Sequence, residues 1–581
     1  MNSRTVMLAA AVLAVAVVTC LALSMTHPEQ ENDGRTFPED VPAECNRFWD
    51  PDEAYAEYSR SVDSMRETLA SDASAGEMCD SVIQCWRDYL EMETKYEWSK
   101  LHRYREPAEY AEAYLPWDTT IRSAGDDFNT TIRDALAGDN GDAVTEAIVS
   151  IGMDPAAYLA HEELSDETKA LMQRASELSN EYSGIMAAEY SVQYGGRSWT
   201  ASEAEASPTL TDTEKAQIVR DILIERYEDA AGVYIDLVAV NNDIAESLGF
   251  DNYIDYAYTE IYERDYSPED VESLYGYAPN AAALDREFRS YVTGPEFDLA
   301  SIRPVLGYGD DEYLEVMKTV AGRIGDEYLR LVEYMDRNGL LFLDAEDGQL
   351  PVSFTTSLRE YNSAYISLCP DRLYGMVTAC HEMGHAANMC LNRDHTRNYD
   401  IMEIHSQGME SILASMLDGI LPSGSAEYSS LILYSMNYQV IIASILTEFE
   451  IWAFETEDSG AALTVDSLIS EFREICDRNG YNMDNGAGDN GYGWIEIPHL
   501  FETPMYYVSY GVSALNAMEI YVMCEEDMDK GVAAYRALTE QNGIDSYTVA
   551  MERAGLSNVL VDGNGDRIIT AVRELFAEQH A

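Results

Sequence analysis

Basic residues are scarce in this chain of 581 residues. Lysine and arginine together number 37 against 105 aspartates and glutamates, which gives a formal net charge of −68. A nucleic-acid partner requires a basic face for its phosphates, and docking on anionic lipid requires a polybasic patch. The composition therefore argues against both kinds of partner, and we expect no nucleic acid to bind.

Cysteine pairs with the CxxC spacing are also lacking, so a cysteine zinc site has no support. Of the nine cysteines, Cys45, Cys79 and Cys85 lie near the start of the folded part. In an oxidising compartment these three are able to form one disulfide, and the sequence leaves the pairing open.

Proline is infrequent, at 17 residues, and long stretches repeat apolar residues at three- and four-residue steps. This pattern predicts a mainly helical protein. One strand-like region, "LPVSFTTS" with "NSAYISL", predicts a small sheet just before a histidine motif. We expect a helical N-terminal region over 46–200 and a catalytic region over 201–581.

The N-terminus differs from the rest of the chain. An apolar run covers residues 6–23 and follows Arg4; at roughly 18 residues it is long enough to span a bilayer. We interpret 1–25 as a membrane anchor or a cleaved signal peptide, and 26–45 as an acidic, proline-containing linker. Both alternatives predict export, with the protein either anchored by this segment or secreted.

The segment "MVTACHEMGHAANMC" places His381 and His385 four residues apart on a predicted helix, with Glu382 directly after the first. Residues at i and i+4 share a helix face, so both imidazoles can reach one ion. Glu382 sits about 100° around the helix, where a general base can reach a metal-bound water. The alternative is a pair of core histidines with other polar partners.

A zinc site needs a third protein ligand and an open position for water. The next helical segment, "YDIMEIHSQGMESILASMLDG", supplies Glu403, which lies 18 positions after His385. A buried glutamate without a cation is costly, and facing the histidines removes that cost. Glu410, two turns further along, is a candidate hydrogen-bond partner for a ligand imidazole.

At these residues the sequence resembles the thimet-oligopeptidase group of zinc metallopeptidases, and most closely its oligoendopeptidase F branch. "HEMGH", "MEIHSQGME" and "IPHLFETPMYYVSYGVSALNAMEIY" occur in the order found in that branch. The resemblance implies that Glu403 is the third ligand of one zinc ion per chain. It also implies a mainly helical, zincin-type peptidase body with a deep substrate channel and the zinc on its floor.

The implied activity is a zinc metalloendopeptidase that hydrolyses short unfolded oligopeptides, with Glu382 as the general base. His499, Tyr506 and Tyr510 are the candidates for stabilising the oxyanion, and a continuous helix would bring them near one face. Tyr507 stays open as an alternative to either tyrosine. Two other interpretations also remain, a catalytically inert peptide-binding member of the same fold at the cell surface and a related zinc dipeptidase.

Overall fold

The computed structural model describes residues 38–138, 140–160, 164–369, 373–391, 398–539 and 546–580. The N-terminal segment 1–25 and most of the linker lie outside these residues. The last part of that predicted linker lies against the folded body: Val41 is buried, and the backbone N–H of Glu39 donates to the carbonyl of Tyr361 at 3.0 Å.

Helices dominate the described chain, as the sequence predicts. The first seven are α1 (Pro51–Leu69), α2 (Ala75–Arg105), α3 (Pro107–Tyr114), α4 (Trp117–Leu136), α5 (Gly141–Ser150), α6 (Pro155–Ala160) and α7 (Asp166–Ala187). The next six are α8 (Ala201–Ala206), α9 (Asp212–Ser247), α10 (Tyr253–Tyr256), α11 (Glu272–Val292), α12 (Asp310–Ile324) and α13 (Asp326–Arg337). The last nine are α14 (Gly375–Leu391), α15 (Tyr399–Ile420), α16 (Ser425–Asp458), α17 (Val465–Asn479), α18 (His499–Glu502), α19 (Val508–Glu526), α20 (Met528–Thr539), α21 (Tyr547–Ala554) and α22 (Asn564–Gln579).

Side-chain caps fix the starts of the long helices. Ser74 and Glu77 form a capping box at the start of α2, and Thr211 and Glu214 form another at the start of α9. In each box the side chains satisfy backbone N–H groups that have no partner within the helix. The segments 167–194 and 213–249, whose apolar residues recur at three- and four-residue steps, form α7 and α9, except that 191–194 belong to a strand.

The described strands form two small sheets. β1 (Ser191–Tyr194) and β2 (Arg197–Thr200) make an antiparallel hairpin after α7. The second sheet has the order β3-β5-β4, with β3 (Leu341–Phe342) parallel and β4 (Phe354–Leu358) antiparallel to β5 (Ser363–Ser367). β4 and β5 are the two strands predicted from the sequence, and β4 lies at an edge of this sheet.

Two main hydrophobic clusters organise the described helices. One lies within α1–α5 and the start of α6, and the other joins α7, α9 and nearly all that follows. α2 belongs to both, because Met92 packs in the first cluster and Trp98 in the second. Apart from Val41 and the C-terminal part of α2, which pack with the second cluster, the packing changes close to residue 160. A functional division at 200 stays a prediction.

The disulfide that the sequence allows among Cys45, Cys79 and Cys85 is not formed in the described structure, where all three are free thiols. Cys79 and Cys85 lie on one helix, and six residues separate them by a rise of about 9 Å, too far for a disulfide. The thiol of Cys45 instead lies 3.6 Å from the Tyr361 hydroxyl.

One described helix, α16, is long and apolar enough to cross a membrane by length and composition alone. Its most apolar window is 89% buried inside the protein, which is the behaviour of a central core helix. α16 packs against α11, α15 and α19, and the last two of these helices carry Glu403 and Tyr510.

Candidate metal centre

The histidine motif lies on α14, and nearly every residue of this helix is buried. The described helix begins at Gly375. The imidazole rings of His381 and His385 are 4.9 Å apart between centroids, as expected for neighbours one helical turn apart.

Gly384 allows α14 to approach α15 unusually closely. A Cβ atom at this position would lie 2.4 Å from the carbonyl oxygen of His405 and 2.6 Å from the Cα of Ser406. Real side chains do not tolerate such contacts with backbone atoms. Because Gly384 has no side chain, the backbone of α15 can lie directly against α14 between the two motif histidines. This contact brings Glu403, on α15, close to both histidines.

The three predicted ligands converge. One ligand atom from each of His381, His385 and Glu403 lies within 4.8 Å of the other two, and all three residues are buried. The Nε2 atom of His381 is 4.0 Å from Glu403 Oε2 and makes no hydrogen bond within the described part of the chain. A buried, unpaired ring nitrogen facing a carboxylate fits a metal ligand. Two histidines and one glutamate suit zinc well.

Hydrogen bonds hold the Glu403 carboxylate in place. The Tyr506 hydroxyl donates to Oε1 at 3.1 Å, and the Ser406 hydroxyl lies 3.2 Å from Oε2. Burial raises the pKa of Glu403, which His381 and these two hydroxyls partly oppose. A cation at this position would remove the cost of burying the charged form.

Glu410 lies on α15 two turns after Glu403 and accepts a hydrogen bond from His381 Nδ1 at 2.6 Å. Burial would by itself lower the pKa of His381, but this bond and the neighbouring carboxylates raise it to about 9. The contact places a proton on Nδ1, so that in the neutral form of the ring the lone pair lies on Nε2, which faces Glu403. Carboxylate–histidine pairs of this kind orient metal ligands.

The side chain of Glu382 points towards the small sheet. The Thr355 hydroxyl on the edge strand β4 lies 2.7 Å from Glu382 Oε2, while Oε1 makes no hydrogen bond within the described residues. Burial raises the pKa of Glu382 to about 7, and His381 and Thr355 act in the opposite direction. A carboxyl group with a pKa near neutrality can both accept and return a proton.

The His/Tyr segment is not one continuous helix, so the helical assumption behind the predicted cluster is wrong. α18 ends at Glu502, the chain turns through Met505 at φ 67°, and α19 starts at Val508. The turn still brings the residues together. The centroid of the His499 ring lies 5.9 Å from that of Tyr506, 5.8 Å from that of Tyr510 and 5.3 Å from that of Tyr507.

Burial lowers the pKa of His499 to about 3, so its ring is neutral at physiological pH. Neither ring nitrogen makes a hydrogen bond within the described part of the chain. The ring is thus a buried polar group without a hydrogen-bond partner among the described residues, next to the tyrosines, of which Tyr506 donates to Glu403. Such a group is expected at a site that receives a ligand.

Three residues near this site were missed by sequence reasoning: Thr355 beside Glu382, and Arg264 and Glu450 around the turn at Met505. Thr355 had one usable signal, its position in the strand predicted next to the motif. Arg264 and Glu450 had none, since each is 55 or more residues from the turn in sequence and reaches it only through the tertiary fold.

Comparison with solved structures finds the same fold in known peptidases. The "PZ peptidase A with inhibitor 2" structure superposes with a TM-score of 0.65 at 17% identity, covering 92% of this chain and 99% of that one. A candidate oligoendopeptidase F from Bacillus anthracis gives 0.62 at 16% identity, covering 94% and 99%. Oligoendopeptidase F from Enterococcus faecium gives 0.54 at 14% identity, covering 91% and 98%.

No family model and no curated protein matches the sequence. The structural likeness confirms the resemblance drawn from the three motifs and the prediction of a mainly helical peptidase fold. At identities of 14–17% it establishes the fold alone, and the activity must be argued from the residues of the site.

Proposed function

We propose that the protein is a zinc-dependent endopeptidase acting on short unfolded oligopeptides. The observation that carries the proposal is the convergence of one ligand atom from each of His381, His385 and Glu403 to within 4.8 Å, beside Glu382 and within the fold of oligoendopeptidase structures. These three residues would hold one zinc ion per chain, which would supply Lewis acidity to the site.

Glu382 is the general base in this proposal. Its Oε1, which makes no hydrogen bond among the described residues, takes a proton as water attacks the peptide carbonyl, and Glu382 then gives that proton to the leaving amine. Thr355 holds the other carboxylate oxygen, which keeps Glu382 turned to the same side throughout. The carboxylate of Glu382 can therefore accept and return the proton without changing its orientation.

The donors to the developing oxyanion come from the His/Tyr cluster. Tyr506 has one hydroxyl hydrogen, and the described structure commits it to Glu403. We therefore assign Tyr506 to orienting the third ligand, and His499 and Tyr510 to the substrate oxygen. A neutral His499 donates an N–H without bringing a charge into the site. Tyr507 remains the alternative to Tyr510.

Export is also part of the proposal, through the apolar run at residues 6–23 as an anchor or a cleaved signal. Oligopeptides are the partners that this activity requires. The strongly acidic chain disfavours nucleic acid, and membrane contact is proposed only through the N-terminal run. Fractionation of the full-length protein, before and after carbonate extraction of membranes, separates the anchored form from the secreted one.

The test compares the parent protein with Glu382→Gln on a quenched fluorescent peptide of about ten residues, with mass spectrometry of the products. We expect internal cleavage by the parent and a loss of kcat of about 10²–10⁴-fold in the variant, with metal content unchanged. Release of dipeptides from one end would favour the related dipeptidases. Bound metal without cleavage by the parent would favour the inert peptide-binding member.

A further inference from the structure

The turn that carries the candidate tyrosines has an unusual backbone. Met505, immediately before Tyr506, has φ 67°, in the left-handed region that residues with a side chain rarely adopt. This conformation is unfavourable for such a residue, so the surroundings must hold it. Met505 is also 1% exposed, which excludes solvent as the partner of its backbone groups.

Two side chains from distant parts of the chain hold both backbone polar groups of Met505. Its N–H donates to Glu450 Oε1 at 2.9 Å, and its carbonyl accepts from Arg264 Nη2 at 2.9 Å. The same Arg264 nitrogen donates to the Ser509 hydroxyl oxygen in the first turn of α19, at 3.1 Å. Glu450 lies on α16, and Arg264 lies between α10 and α11.

Arg264 and Glu450, which together we call the clamp on Met505, have a neighbour that holds the preceding residue. The Tyr262 hydroxyl lies 2.8 Å from the carbonyl oxygen of Pro504, and the Arg264 guanidinium lies between aromatic rings, 4.5 Å from the Tyr258 centroid and 4.4 Å from that of Tyr262. Arg264 is 8% exposed and Glu450 is 1% exposed. Burying two ionisable groups is costly, and backbone contacts of this kind explain why they are present.

The segment that carries Arg264 also contacts the helix of the third ligand. The Tyr266 hydroxyl donates to Asp400 Oδ2 at 2.8 Å, in the first turn of α15. One short stretch, residues 262–266, therefore touches the start of the helix bearing Glu403 and the turn bearing Tyr506. Tyr506 in turn donates to Glu403 Oε1.

We propose that Arg264 and Glu450 are positioning residues for the candidate site: they clamp Met505 in its left-handed conformation and thereby place Tyr506 against Glu403 and beside His499. The proposal deepens the proposed peptidase function and rests on it. Without the clamp, Met505 relaxes to a negative φ, and the direction in which Tyr506 leaves the backbone changes.

The first test measures kcat and KM for Arg264→Met, Glu450→Leu and Tyr262→Phe. Each should lower kcat, by about tenfold for the first two and less for Tyr262→Phe, which removes only a hydroxyl. Glu450→Gln keeps an oxygen that accepts from Met505 N–H and should retain most of the kcat. Folded, metal-loaded Glu450→Leu and Tyr262→Phe proteins with kcat within twofold of the parent would overturn the proposal.

A pair of substitutions at position 505 separates positioning from packing. Met505→Gly and Met505→Ala both remove the buried side chain, but only glycine adopts the left-handed conformation without cost. In the Glu450→Leu background, Met505→Gly should restore kcat about fivefold or more over Met505→Ala. Equal kcat values for the two double variants would mean that the backbone conformation is not what Glu450 maintains.

A readout independent of catalysis is the zinc Kd, measured by competition with a chelator. Tyr506→Phe and Glu450→Leu should each weaken zinc binding, and the double variant should be no weaker than the worse single one, because both act through the same hydroxyl. Additive effects would overturn the proposal. If the parent binds zinc but cleaves no peptide, the proposed function fails, whereas this cycle still tests the clamp.

Discussion

Adding one methyl group to α14, by Gly384→Ala, should damage the candidate metal centre without touching any of its ligands. The new Cβ would lie 2.4 Å from the His405 carbonyl oxygen, about 1 Å inside ordinary van der Waals contact. This oxygen and the next nearest atom, the Cα of Ser406, belong to the backbone, so no side chain can rotate away to relieve the contact. The two helices must separate, and His385 must move relative to Glu403, two residues before His405.

The expected magnitude follows from overpacking. Forcing one methyl group into a packed interior costs about 1–3 kcal/mol of unfolding free energy. The resulting displacement of His385 relative to Glu403 should weaken zinc binding by about 10–100-fold, as changes around metal ligands generally do. Denaturant unfolding of the metal-free protein gives the first value, and chelator competition gives the second.

Gly232→Ala is the matched control. Gly232 lies within α9, and a Cβ there would have nothing within 4 Å. Replacing an unconstrained helical glycine by alanine should stabilise the fold by about 0.5–1 kcal/mol and leave the zinc Kd unchanged. A Gly384→Ala protein with the parent's zinc Kd and stability would refute the reasoning that close approach of α14 and α15 forms the site.

Three further predictions concern titration and charge. Thr355→Val removes a hydroxyl that lowers the pKa of Glu382, so the acidic limb of the pH–kcat/KM profile should move to higher pH; Thr355→Ser should leave it in place. Burial raises the pKa of Glu450 from 4.5 to about 8, so the folded protein keeps a proton that the unfolded chain loses. The free energy of unfolding should therefore fall as pH rises between these values, by at most about 1.4 kcal/mol per pH unit from this group. When denaturant unfolding is measured over this pH range, Glu450→Gln should show a shallower fall than the parent. Because the net charge is −68, the folded chain repels itself, and added NaCl should raise the unfolding midpoint by screening this repulsion. The Debye length falls from about 10 Å at 0.1 M salt to about 3 Å at 1 M. A midpoint that falls with added salt would contradict this prediction.

Local pattern was enough to predict the elements whose residues interact with near neighbours in sequence. The periodicity of α7 and α9, the i,i+4 histidines of α14 and the strand-forming composition of β4 and β5 are each features of a single element. The third ligand was also accessible, because a buried Glu403 needs a cation and the next helix returns directly to the histidines.

The turn at Met505 was not predictable in the same way. Nothing in "FETPMYYVSY" requires a left-handed residue, since methionine is not the residue expected there. The conformation exists because Glu450 and Arg264 supply hydrogen bonds from 55 and 241 residues away. The sequence did indicate Glu410 as a candidate partner for a ligand imidazole, but which histidine it reaches depends on how closely Gly384 lets the two helices approach, and periodicity does not report that.

The most direct measurement is the zinc content of the parent protein and of its Glu403→Gln and His385→Ala variants after loading and dialysis, together with peptide cleavage before and after chelation. We predict about one zinc ion per parent chain, markedly less in both variants, and cleavage that is lost on chelation and restored by zinc. A parent chain without zinc, or cleavage that survives complete removal of the metal, would contradict the assignment of His381, His385 and Glu403 as a catalytic zinc site.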